Sequence, residues 1–282
     1  MSGWTFPRTE VEGISLPRML IGINWFMGYC HQTKARGKLN SEYMTPSRIA
    51  DVISVFVNEA GIDCVYGVLD EWPKLLTGIA EAEQRVGRKL VTIATPHLKS
   101  GDRQEDLDAS RRAIERQAAI GASFCLPHQA TTDACLDRTR RRIRWMDRYA
   151  AMIRQCGMIP GLSTHMPEAI IYADETDLDV ATYIQIYNAA GFLMQVEIDW
   201  VHRVITNARR PVMVIKPMAA GRVQPLVGLA FVWATIRPRD MVVVGTQTGD
   251  EAKELIEISR SILEGRPSGV ELQKTRSKGS VS

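Results

Sequence analysis

Five histidines stand at positions 31, 97, 128, 165 and 202 of the chain. His31, His97, His128 and His165 each follow a short apolar run, whereas His202 lies inside a longer amphipathic stretch. Neutral imidazoles gathered with a carboxylate would hold a divalent metal such as zinc or manganese. Such a metal would polarise a carbonyl or activate water. Asp70, Glu71 and Asp102 are the candidate carboxylates. Without a metal, the same rings are general acids and bases, because imidazole titrates near neutrality. The histidines are spread over the chain rather than set at a local H-E-x-x-H spacing, so both chemistries stay open. Lys216 falls late in an apolar run where an apolar residue is expected. It would serve as an anion ligand, or as a Schiff-base lysine if buried. Asn24 ends the first apolar run, where it would bind substrate or close a turn. Trp25, Phe26 and Tyr29 offer aromatic faces for a sugar or planar ligand, or for plain packing.

The elements that must position these groups are legible as an alternation. Short β-branched runs are expected as strands at 19–25, 62–68, 90–95, 123–126, 158–163, 180–187, 211–217 and 241–245. Between them, amphipathic stretches are expected as helices at 45–60, 71–86, 104–120, 133–156, 167–173, 195–207, 225–236 and 249–263. Thr45-Pro46 is a cap followed by proline at the first helical position. Gly61, Gly87, Gly121 and Gly157 stand where helices end in a left-handed residue. Residues 26–43 read as a polar loop. Eight strands alternating with eight helices imply a parallel sheet closed into a single (β/α)8 TIM barrel over residues 1–265. The polar tail 266–282 is expected to be disordered. In a barrel, the four strand-following histidines share the carboxyl-end face, where active sites of this fold lie.

The chain has 282 residues, 45% hydrophobic and 24% charged, an ordinary soluble balance. A net charge of +3 is too small to argue for nucleic acid or a membrane surface. Arg138, Arg140, Arg141, Arg142 and Arg144 cluster, with Leu136, Ile143, Met146 and Tyr149 between them, as on a solvated helix face. Five cysteines lack paired spacing, and no membrane span or signal peptide is visible. These features fit a cytoplasmic protein with a small-molecule substrate and leave the oligomeric state open. Trp72 and Trp233 lie in apolar helical stripes and are expected in the core.

Four motifs in three stretches of the second half resemble the aldo-keto reductases. GMIPGLSTHMPEAIIYADETDLDVATYIQIYN, residues 157–188, is similar to that family's fifth and sixth strands, with G-x-S-x-H and a Q-x-x-Y-N-like element. KPMAAGR, 216–222, is similar to the end of strand seven, and MVVVGTQTGDEAKE, 241–254, to the phosphate loop after strand eight. The resemblance implies an aldo-keto-reductase-like barrel. It implies that Ser163 and Gln185 hold the amide of a nicotinamide. It also implies that Lys216, Ala219, Gly221, Arg222, Gly245 and Thr246 surround the phosphates of NAD(P). Small residues let backbone N–H groups approach an anion, and the start of the last helix adds its positive end.

The family's catalytic residues are mostly replaced. Tyr66 stands where the resemblance puts an aspartate on strand two, Pro96 where it puts a lysine on strand three, and only His128 on strand four matches. A tyrosine acid needs such a lysine–aspartate pair to tune it. Three readings follow. The first is a non-redox enzyme, an isomerase, lyase or hydrolase. It would act on a small polar carbonyl or sugar-like substrate through His97, His128, His165 and Tyr66, and His31, His97, His128 and His165 would be the ligands if a metal is used. The second is an NAD(P)-dependent oxidoreductase with His128 or Tyr66 as an unusual proton donor. The third is a non-catalytic barrel that binds a nucleotide or phosphate.

Overall fold

The computed structural model describes residues 4–273. Eight short parallel strands carry the architecture. They are Met19–Gly22, Cys64–Gly67, Val91–Ala94, Phe124–Cys125, a fifth strand in two segments (Ile159–Pro160 and Leu162–Thr164), Tyr183–Ile186, Val212–Ile215 and Met241–Val244. Each pairs with the next, and the eighth returns to the first with Val242 opposite Met19 and Val244 opposite Ile21. The fifth strand faces its two neighbours with different segments. Gly161 N–H donates to Cys125 O (3.3 Å) on one side, and Leu162 N–H to Thr182 O (3.0 Å) on the other. A Cβ on Gly161 would lie 2.5 Å from Leu126 Cγ and 2.9 Å from Thr182 O, so this seam admits only glycine. The result is the expected (β/α)8 barrel.

Strand alternation separates two cores. Leu20, Cys64, Ile93, Phe124, Ile184 and Met213 fill the barrel interior. Met19, Ile21, Val65, Val212 and Val214 face the helices. A hairpin that precedes the barrel, Arg8–Val11 paired antiparallel with Ile14–Pro17, sends Val11 and Leu16 into the interior cluster and plugs the amino-terminal end. A buried clasp sits at the same end. Asp240, fully enclosed, accepts from Val212 N–H (2.8 Å) and from the Arg237 backbone N–H (2.9 Å) and guanidinium (2.7 and 2.8 Å). Arg18 donates to the Asp240 and Arg237 carbonyls at 2.8 and 2.9 Å. The clasp ties the starts of strands one, seven and eight together.

Helices Pro46–Ala60 and Pro73–Val86 end in left-handed Gly61 and Gly87, as their sequences require. Three expectations need correction. Residues 26–43 are not all loop. Thr33 caps a helix, Lys34–Tyr43, whose one buried residue is Asn40, so it carries no apolar period to read. The helix expected over 133–156 is two helices, Gln129–Ala134 and Met146–Gln155, separated by a small hairpin of Leu136–Asp137 and Arg142–Ile143. Asp137 accepts from Arg140 N–H at 3.1 Å, and Arg141 and Trp145 take positive φ values of 49° and 62°. The arginines therefore sit on a turn. There Arg138 pairs with Glu168 and Arg141 with Glu175, acids of the following helix, Glu168–Glu175. The tail is ordered where it begins. Arg266 pairs with Glu257 and Glu264, Gly269 N–H donates to Glu257 (2.9 Å), and Val270 packs on the core. The rest of the expected tail, from 274, lies outside the described residues.

Candidate active site

Two adjoining cavities of about 310 and about 320 Å³ open at the carboxyl ends of the strands. Ile23, Asn24, Tyr29, His31, Tyr66 and Lys216 line both, so the cavities form one cleft with a shared wall. The first reaches across strands two to five to His97, His128, Ser163 and His165. The second runs over the loops after strands seven and eight.

Lys216 is the centre of the first cavity. It follows strand seven directly, at φ 58°. That left-handed conformation is uncommon for a residue with a side chain and is found where function fixes the backbone. Its Nζ lies 3.1 Å from His165 Nε2. Burial pulls the lysine down to about 8. The histidines respond to the same enclosure. His165 is held down at about 3, first by burial and then by the Lys216 charge. His128 is held at about 4 by burial, His97 and Lys216. Burial, Lys216 and Arg222 also lower His31. All three rings are accordingly neutral at pH 7.

Hydrogen bonds fix which nitrogen each ring offers. His128 caps the helix after strand four, with Nδ1 accepting from Ala130 N–H at 3.2 Å. Its neutral ring therefore carries the proton on Nε2. His97 packs on it with ring centroids 4.0 Å apart. Tyr66 lies across the cavity. Its hydroxyl is pushed up to about 12 by burial, opposed by a hydrogen bond with Ser163. It is a neutral donor. The strand-five end that carries His165 is held by a residue the sequence did not single out. Asp133 Oδ1 accepts from Thr164 Oγ1 at 2.5 Å, and the carboxylate accepts from His165 N–H at 3.3 Å. No local spacing signals this pair, because Asp133 and Thr164 meet only when strand five lies beside the helix after strand four.

The metal expectation is not met by this arrangement. Among the described residues no three His, Cys, Asp or Glu side chains converge as a coordination set. The nitrogens are already engaged, His165 Nε2 by Lys216 and His128 Nδ1 by Ala130. Of the proposed carboxylates, Asp70 pairs with Arg116 and Asp102 is exposed away from the cavities, while Glu71 lines the first cavity but joins no coordination set. Trp72, expected in the core, packs partly buried against it and also lines the first cavity beside Tyr29, with ring centroids 5.8 Å apart. Phe26 is buried packing, whereas Trp25 lines the second cavity. Trp233 is a core residue, as expected, donating to Ser259 Oγ at 3.0 Å.

The NAD(P) expectation fails at two places. Gln185 lies between Ile184 and Ile186, both of the interior core, so its amide points outward to the helices. It is fully buried, donates to Ile186 O (3.1 Å), leaves Oε1 without a partner, and lines neither cavity. The motif here is Q-x-Y-N, one residue shorter than Q-x-x-Y-N, and a one-residue shift in a strand changes the face. The phosphate loop carries its own anion. Glu251 Oε2 accepts from Thr246 Oγ1 (2.7 Å) and Gln247 N–H (2.8 Å), while Thr248 Oγ1 accepts from Glu251 N–H (3.1 Å). Gln247 N–H and Glu251 N–H at the start of the helix Gly249–Leu263 are thus engaged, and Glu251 and Glu254 both line the cavity. Arg222 stacks on Phe192 at 4.0 Å and donates to the Ala219 and His31 carbonyls. Gly221, Gly245 and Thr246 line the second cavity as expected, with Trp25 beside the two glycines. The charge of Glu251 and Glu254 at this wall opposes a pyrophosphate there.

No family model matches the chain, and no curated protein matches it in sequence. Solved structures do match it in shape. A putative aldo-keto reductase from Pseudomonas aeruginosa aligns with 93% of this chain and 98% of its own at a TM-score of 0.65 and 13% identity. A glycerol dehydrogenase from Gluconobacter oxydans aligns with 95% and 98% at 0.59 and 11%. An aldose reductase from Giardia lamblia aligns with 95% and 89% at 0.55 and 9%. Among the described residues no helix is long and apolar enough to cross a membrane. At such identities the likeness speaks for the backbone, and the backbone is an aldo-keto-reductase-like (β/α)8 barrel.

Proposed function

We propose that this chain is a non-redox enzyme, an isomerase, lyase or hydrolase acting on a small polar carbonyl or sugar-like compound in the first cavity. One observation carries the reading. Lys216, His165, His128, His97 and Tyr66 converge at the barrel mouth, and the one carboxylate lining the same cavity, the exposed Glu71, pairs with none of them. A fold of this kind hosts many reactions, so the site has to carry the argument.

The roles follow from the titration order. The best general acid or base has a pKa near the working pH. That group is Lys216, at about 8. His165 and His128 are too weakly basic to take a proton readily, so they act as neutral partners. His128 Nε2–H and the Tyr66 hydroxyl are donors suited to a carbonyl oxygen that gains negative charge. Ser163 orients Tyr66, and Asp133 with Thr164 orients His165. The work first given to the histidines thus passes to Lys216, which the resemblance had set beside the cofactor. The acidic second cavity and the outward Gln185 favour this reading over a nicotinamide reaction.

Small hydroxylated aldehydes and ketones incubated with the chain in D₂O, without nucleotide, are expected to exchange the hydrogen beside the carbonyl. Proton NMR reads the exchange. Lys216→Met is expected to slow it by about 10²-fold or more, the usual scale of one general acid–base group. Exchange or turnover that requires added NADPH would sink the reading.

A further inference from the structure

We propose that Lys216 is a covalent nucleophile whose Nζ, held against His165 at the wall shared by the two cavities, forms an imine with the carbonyl carbon of a small hydroxylated aldehyde or ketone. The inference rests on the functional reading above and sharpens it. Its ground is what surrounds the lysine. Nζ has an imidazole nitrogen 3.1 Å away, and no carboxylate pairs with it. The titratable groups that face it are His31, His128 and His165, with Arg222 beyond His31 and Tyr66 across the cavity. Three carboxylates line the same walls, Glu71 in the first cavity and Glu251 and Glu254 in the second, but none of them forms an ion pair with Nζ, whose recorded partner is the neutral His165. A surface lysine has water to hold it as an ammonium, and a structural lysine has an acid. The left-handed backbone at Lys216 spends conformational energy to bring this side chain to the cleft.

The step balances without any redox partner. The Nζ lone pair attacks the carbonyl carbon, and the C–O π pair moves to oxygen. A proton passes from nitrogen to that oxygen, while His165 Nε2, 3.1 Å from Nζ, orients the amine by accepting its N–H. The carbinolamine then expels water as the C=N bond forms, and hydrolysis is the reverse. His128 Nε2–H and the Tyr66 hydroxyl are the donors available to the departing oxygen. A protonated imine draws electrons from the neighbouring C–H or C–C bond, which is the chemistry an isomerase or lyase needs.

The test uses the full chain and the smallest carbonyl, which any cavity admits. The protein is treated with limiting formaldehyde and cyanoborohydride at pH 7, and peptide mass spectrometry follows methylation of each lysine. Lys216 is expected to react about tenfold or more faster than exposed Lys38, Lys89 and Lys253, since less of its amine is protonated. Dihydroxyacetone is expected to slow methylation at Lys216 alone. Methylation of Lys216 at or below the rate of the exposed lysines would overturn the inference, and the exchange experiment would then decide the functional reading by itself. Fast methylation that dihydroxyacetone does not slow would keep the nucleophile and overturn the hydroxylated-carbonyl reading.

Discussion

Lowering the pH from 7.5 to 5 is expected to cost the fold about 2–4 kcal/mol, read from urea unfolding at the two pH values. The cause is the pair of buried histidines at the barrel mouth. In the unfolded chain each titrates near 6.5, whereas in the fold His165 sits at about 3 and His128 at about 4. Between those values the unfolded state binds more protons, so stability rises with pH. The contribution is complete above about 6.5 and is lost as the pH falls towards 4 and 3. Lys216, at about 8, is mostly protonated in both states across this window and adds little slope. Acidic groups held low by arginines, such as Glu12 and Asp179 beside Arg154, lose their share only at lower pH. The His165→Gln, His128→Gln double variant is expected to lose most of the difference. A stability that is flat from pH 7.5 to 5 would mean that the rings are solvated and that the cavity is not the enclosed site described above.

Replacing Asp240 by alanine is expected to destabilise the chain by about 3–5 kcal/mol, the scale for breaking a buried ion pair from one side. Asp240 is fully buried and satisfies Val212 N–H and three groups of Arg237. Its loss leaves the Arg237 guanidinium, itself largely enclosed, without a counter-charge, and leaves a strand-seven donor unpaired. Asp240→Asn keeps the shape and one acceptor, so its cost should be smaller. The clasp lies at the end of the barrel opposite the cleft, so methylation of Lys216 should be unchanged in either variant. Alanine at 240 costing less than about 1 kcal/mol would show that the clasp contributes little to barrel closure.

The sequence was most readable where one period repeats. Strands such as MVVV and VMVI, and helices stopped by Gly61 and Gly87, follow from local chemistry. The barrel rim was also readable, because a residue just past a strand lies at its carboxyl end. His97 and His128 follow adjacent strands and do meet. What was not readable depends on register or on closure. Gln185 reads as an amide ligand until the count of residues to Tyr187 is taken as a choice of face. Leu136, Ile143, Met146 and Tyr149 mimic a helical stripe, yet the Asp137–Arg140 turn and the left-handed Arg141 break it. Lys216 stood out as a charge in an apolar strand. Its contact with His165 spans 51 positions and exists only in the closed barrel. The acid that fills the phosphate loop, Glu251, reads from sequence as an ordinary first-turn residue of its helix.

The most direct test of the central claim, that the mouth of this barrel is a carbonyl site and not a nicotinamide site, is a titration of the chain with NADPH and with NADH followed by tryptophan fluorescence. Trp25 and Trp72 line the two cavities and would report a nucleotide in either. The structure, with Glu251 and Glu254 where phosphates would lie, predicts no saturable quenching up to about millimolar nucleotide, the weakest end of ordinary enzyme–ligand affinity. Saturation at micromolar nucleotide would contradict it and return the chain to the oxidoreductases, with the proton donor still to be found.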